Sequence, residues 1–127
     1  MNYSAQDLLN AFQAVDPRVR FVLKNAAGLG YYCILGPSHR GGRDCWVKVE
    51  RYNGAVALAS PLAQNLGALK RPNLSIRQHP LGSSSGPNFG NFDHALDPTD
   101  IHQRFPHSAQ DFVRFLLRGF QATNTRW

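Results

Sequence analysis

The residues best suited to chemistry lie in one run, Asp16-Pro17-Arg18-Val19-Arg20-Phe21-Val22-Leu23-Lys24. From Arg18 the pattern alternates with the period of a strand. Val19, Phe21 and Leu23 face one way; Arg18, Arg20, Val22 and Lys24 face the other. A basic strand close to a helix terminus is a place to hold a phosphate. The turn that follows, Asn25, Ala26, Ala27 and Gly28, offers backbone donors that could close over such an anion. A phosphate group brings roughly −1.5 to −2 charges and three strong acceptor oxygens. Arg20 and Lys24 on one face answer that need. The same residues also fit a solvated basic sheet face that binds nothing.

Other chemistries find less support. Five histidines, His39, His79, His94, His102 and His107, invite a metal or nuclease reading. None has the spacing of a His-Glu-x-x-His site, and the two cysteines do not form a Cys-x-x-Cys pair. Gly82-Ser83-Ser84-Ser85-Gly86 lacks the following Lys-Ser or Lys-Thr of a nucleotide cradle. The reading is of a non-catalytic protein with no metal and no cofactor.

The 14 Lys and Arg against 8 Asp and Glu leave a net charge of +6. That balance favours partners bearing phosphate or carboxylate, or an anionic surface. At 127 residues a single domain, 1–127, is expected. A hydrophobic fraction of 43% supplies a packed core and argues against wholesale disorder. Cys33 and Cys45 fall in expected strands and read as small buried residues of a reducing, cytoplasmic compartment. No apolar run is long enough to span a membrane. The N-terminus lacks the charged-then-apolar pattern of a secretion signal. Delivery into a host cell by another route is compatible with that absence.

The elements that must position these residues follow from capping and periodicity. Ser4-Ala5-Gln6-Asp7 is a capping-box start, with Leu8, Leu9, Phe12 and Val15 on one helical face. Pro17 restricts Asp16 and ends that helix. Gly28 and Gly30 mark a turn, and Tyr31 to Leu35 is a second, nearly all-apolar strand. Cys45 to Tyr52 is a third strand, Asn53-Gly54 a hairpin signal, and Ala55 to Ala59 a fourth strand. Residues 60–104 hold most of the prolines and the Gly-Ser tract, with Leu74 to Arg77 as a possible short strand. This stretch is expected as a long insertion or lid, outside the core and dispensable for folding. Ser108-Ala109-Gln110-Asp111 is a second capping box and opens a closing helix to about Phe120. The repeated Ser-Ala-Gln-Asp start reads as convergence on one cap chemistry, because the segments after the two copies differ. The expected fold is α+β: a central antiparallel sheet flanked by an N-terminal and a C-terminal helix, one on each side.

In this order the residues resemble the Src homology 2 domain family. The family's helix-to-strand junction typically runs NPRGTFLVR, and Asp16 to Lys24 reads DPRVRFVLK in the same register. Gly30-Tyr31-Tyr32-Cys33-Ile34 resembles the next strand. Trp46-Val47-Lys48-Val49 before Asn53-Gly54 resembles the third. Phe105 and then Ser108 to Leu116 resemble the closing helix. The resemblance covers about residues 4–59 and 105–122. It departs from the family where the phosphate-gripping arginine is replaced by Lys24, where the third strand's histidine is replaced by Trp46, and where the opening helix lacks a basic residue. Lysine is a point charge without arginine's planar fork, so the first change is not conservative.

The resemblance implies a peptide-binding signalling module whose partner is a tyrosine-phosphorylated peptide or protein. Lys24 would be the main phosphate contact, with Arg20 and Lys48 in support and the Asn25 to Gly28 turn closing over the anion. Trp46, Val47 and Tyr52 would line the peptide side, and residues 60–104 would lie over the peptide. The same basic, aromatic surface suits nucleic acid as a second choice. A protein-interaction module with a vestigial phosphate pocket is the third.

Overall fold

The structure is a computed structural model that describes residues 2–26, 29–37, 47–58, 76–77 and 94–122. Helix α1 spans Ala5–Val15. The Ser4 hydroxyl accepts from the Asp7 N–H at 3.0 Å, and the Asp7 carboxylate accepts from the Ser4 N–H at 2.9 Å. Both halves of the capping box are therefore made. Asp16 ends the helix in extended geometry, as the following proline requires. Its carboxylate then receives the Arg18 guanidinium through two bonds of 3.0 and 3.1 Å. That pair is exposed and holds the corner more than it adds stability.

Strand β1 is Arg20–Ala26, β2 Leu29–Leu35, β3 Val47–Glu50, β4 Val56–Leu58, β5 Ile76–Arg77 and β6 His94–Leu96. They form one sheet in the order β1-β2-β3-β4-β6-β5, with every neighbouring pair antiparallel. Helix α2 covers Pro98–Arg104 and α3 covers Ala109–Ala122. The α+β class, with helices towards both ends of the described chain, is as the periodicities predict. β5 falls inside the stretch expected to hold a short strand.

The N-terminal and C-terminal helices flank the sheet from the same side. α1 and α3 pack against each other. Leu8, Leu9 and Phe12 of α1 share one buried cluster with Phe112, Val113, Phe115, Leu116 and Phe120 of α3, and with Ile34, Val47, Val49, Val56, Leu58 and Leu96 of the sheet. By strand register all six sheet residues lie on one face. The expected placement of one helix on each side is thereby corrected. The cause is that both helices carry apolar stripes, and a shared core buries both against one face and each other.

The Asn53-Gly54 turn is where the sequence places it, but its form differs. Strand β3 stops at Glu50, whose N–H bonds the Ala55 carbonyl at 2.8 Å. Arg51 to Gly54 make a four-residue loop, closed by the Gly54 N–H on the Glu50 carbonyl at 3.1 Å. Gly54 has φ +73°, and a Cβ there would stand 2.6 Å from the Tyr3 carbonyl oxygen. The loop is thus pressed onto the start of α1, which only glycine permits.

The expectation that this long stretch stands outside the core does not hold at its C-terminal end. β6 sits between β4 and β5, and Leu96 and Ile101 are core residues, Ile101 being 1% exposed. α2 has its own cap: the Asp97 carboxylate accepts from the Thr99 N–H at 2.9 Å, with Pro98 at the first helical position. Residues 94–104 therefore belong to the core.

Three outcomes are expected in urea denaturation. Gly54→Ala should destabilise by more than about 1 kcal/mol, since the conformation and the contact both oppose a side chain. Replacing residues 62–103 by a short Gly-Ser linker should abolish cooperative unfolding, and Ile101→Ala alone should cost about 2–5 kcal/mol. A linker variant with native stability would return these residues to the status of an insertion.

Candidate functional site

The sheet face turned away from the helices carries the charged residues. Register gives its rows. Lys24 of β1 lies beside Tyr31 of β2, which lies beside Glu50 of β3. The next row is Val22, Cys33, Lys48 and Ala57. Arg20 pairs with Leu35 in the row beyond. The period-two reading of β1 is therefore correct in the structure: Arg20, Val22 and Lys24 share a face, and Val19 is buried in the helix-side core.

Exposure then separates the expected contacts. Arg20 is exposed and Lys24 half-buried. Lys48 is 0% exposed. Its ammonium lies 4.4 Å from the centroid of the Tyr31 ring. An ammonium taken wholly out of water is costly unless it is compensated. The face of a tyrosine ring gives an attraction of about 0.5–2 kcal/mol, larger when water is excluded. Lys48 thus belongs to the interior, and a ligand arriving from solvent cannot reach it without opening the fold. It shares the face with Lys24 and Arg20, as the resemblance implies, but not their access.

Val47 is also displaced from its expected role. It is fully buried on the helix-packed face, where no peptide can touch it. Tyr52 is 72% exposed in the β3–β4 loop, with the Arg51 guanidinium 5.3 Å from its ring centroid. That loop follows Glu50, so Tyr52 stands at the same end of the sheet as Lys24. Asn25 and Ala26 complete β1, paired with Gly30 and Leu29. Ala27, Gly28 and Trp46 lie outside the described residues, as do Cys45, His39 and His79. Tyr32 packs partly against the helix-side core.

The sequence reading missed Tyr31 and Glu50. Tyr31 directly follows Gly30 and looks like one of two equivalent tyrosines. Only strand parity decides which one meets Lys48. Glu50 brings a half-buried carboxylate onto the basic face. A lone acid at a strand end, between Val49 and Arg51, gives no signal in the sequence.

A concavity lies elsewhere. A groove of about 460 Å³ runs between α1 and the start of α3, lined among others by Tyr3, Asp7, Asn10, His102, Ser108 and Gln110. The two Ser-Ala-Gln-Asp starts converge there. The Tyr3 hydroxyl donates to the Phe105 carbonyl. Burial first, then the charges of Asp111 and Asp7, raise its pKa above the usual tyrosine value. The His102 ring meets Tyr3 edge-on at 5.1 Å. The polar side chains are occupied with structure: Asp7 and Ser108 cap helices, Asn10 accepts from Gln6 at 2.9 Å, and Gln110 accepts from Arg114 at 3.2 Å. The groove is the seam where two capped helices meet. Among the described residues no group of three or more His, Cys, Asp or Glu could hold a metal. No helix among them is long and apolar enough to cross a membrane.

No protein-family model, curated protein or solved structure matches this chain. The function must be argued from the residues themselves.

The burial of Lys48 has a measurable consequence. Lys48→Ala should cost about 2–4 kcal/mol by chemical denaturation, as for other large buried side chains. Lys24→Ala, at a half-buried position, should stay within about 1 kcal/mol. Equal, small effects would place Lys48 at the surface.

Proposed function

We propose that the chain is a non-catalytic module that binds a tyrosine-phosphorylated peptide on the β1 side of the sheet. Lys24 is the main phosphate contact and Arg20 its partner. One observation carries this reading: the register of β1 sets Arg20 and Lys24 on the face that helix packing does not use. They are four residues apart on an extended strand, roughly 13 Å. Two long cationic side chains at that spacing can close on a group held above Val22. A dianionic phosphate between them gains charge-assisted bonds stronger than those of a neutral ligand.

Lys48 enters this account indirectly. Its ammonium is held against Tyr31, and Tyr31 stands beside Lys24 in the register. It adds positive potential from below and fixes the ring that neighbours the phosphate contact. The resemblance to the Src homology 2 family supports the choice of phosphotyrosine among anions. The departure at Lys24 and the burial of Lys48 mean that the grip differs from an arginine fork.

The test is calorimetry with a phosphotyrosine peptide and its unphosphorylated twin. Losing a hydrogen bond to a charged group costs roughly 1.5–3 kcal/mol. Lys24→Ala should then weaken phosphopeptide binding by about tenfold or more, in a protein that still folds. Equal affinity for the two peptides would end this reading. So would tight, steeply salt-dependent binding of RNA or DNA in their place, because that is the signature of counterion release from a phosphate backbone.

A further inference from the structure

We infer that the peptide binds as an added strand, pairing its backbone with the outer edge of β1; this rests on the phosphotyrosine reading above. Among the described residues β1 ends the sheet, with β2 on one side only. It has seven residues, paired in unbroken register with β2. A strand of that length at a sheet edge is a template for another extended chain.

The two faces of this edge differ, and the difference selects the occupant. On one face stand Arg20 and Lys24. On the other stand Phe21 and Leu23, at the margin of the helix-side core. Leu23 is 46% exposed, while Phe21 and Tyr32, the partner of Leu23 across the strands, are only partly buried. Side chains of an added strand alternate between faces with the same period. A matching peptide therefore carries phosphotyrosine and acidic residues at positions of one parity, and apolar residues at the other. A phosphotyrosine placed opposite Val22 is diagonal to both Arg20 and Lys24, at spacings of about 7–8 Å that long side chains span. Valine or leucine at the adjacent positions covers Leu23 and Phe21.

Basic residues on an edge strand can also serve to repel other strands. An exposed leucine on the same strand works against that purpose, since it offers apolar surface to whatever pairs there.

The experiment uses the full chain and a synthetic peptide with a central phosphotyrosine, valine at every position of the opposite parity and glutamate at the rest. Each peptide nitrogen is methylated in turn and affinity is measured by calorimetry. Strand addition predicts that methylation weakens binding about tenfold at alternate residues, where the N–H would bond β1, and much less at those between. Leu23→Ser should weaken the same peptide roughly three- to tenfold while leaving the preference for phosphate intact. Phosphate-dependent binding that Lys24→Ala removes, but with no alternation along the peptide, would overturn strand addition and leave the phosphotyrosine reading standing. No phosphopeptide binding at all would overturn both. A concentration-dependent dimer that the peptide does not displace would assign the edge to a second copy of the chain and overturn the inference.

Discussion

Phe12 of α1 and Phe112, Leu116 and Phe120 of α3 are buried in one cluster with Ile34, Val47, Val49, Val56 and Leu58. Each such side chain contributes roughly 1.5–3 kcal/mol when removed from water, so this one-sided packing dominates the energetics of the fold. It constrains everything else. Strand residues alternate, so committing one parity of β1 to β4 to the helices commits the other parity to the opposite face. Arg20, Lys24 and Lys48 share that opposite face because Phe21, Ile34, Val47 and Val49 are needed beneath the helices. A one-residue slip in β1 would bring its cations to the core side and its apolar residues away from it.

The second constraint is the cost of a buried lysine. Lys48 sits in the same row as Cys33 and Ala57, small neighbours that leave room for a long side chain. Its ammonium then lies over Tyr31. The pairing of a cation with a ring in a water-poor place is specific in geometry and helps to define how β2 and β3 sit together. It also separates Lys48, an interior cation, from Arg20 and Lys24 near the β1 edge. Of these three, Arg20 and Lys24 can meet a ligand directly.

Much of this was legible in the sequence because it is local. The two Ser-x-x-Asp starts give caps, the Asp16-Pro17 step ends α1, and Arg20, Val22 and Lys24 show their common face through period two. Asn53-Gly54 marks the β3–β4 loop. What could not be read is long-range. Helix stripes at Leu8, Leu9 and Phe12 or at Phe112 and Leu116 show that a helix is buried, not on which side of a sheet. The core roles of Leu96 and Ile101 were hidden because a long Pro- and Gly-rich stretch precedes them, and short strands such as β6 carry little periodicity. Lys48 and Val47 alternate like any exposed and buried pair, and nothing local shows that both faces of β3 exclude water. Tyr31 and Tyr32 differ only in parity.

The central claim is that the face bearing Arg20 and Lys24 receives a phosphorylated tyrosine. Amide NMR during titration with a phosphotyrosine peptide tests it most directly, because it reports position as well as binding. The account predicts shifts concentrated along β1 and at Tyr31, with the buried amides of α1 and α3 unmoved and no response to the unphosphorylated peptide. Shifts centred on Tyr3, Asn10, His102 and Gln110, or the same shifts with and without phosphate, would contradict it.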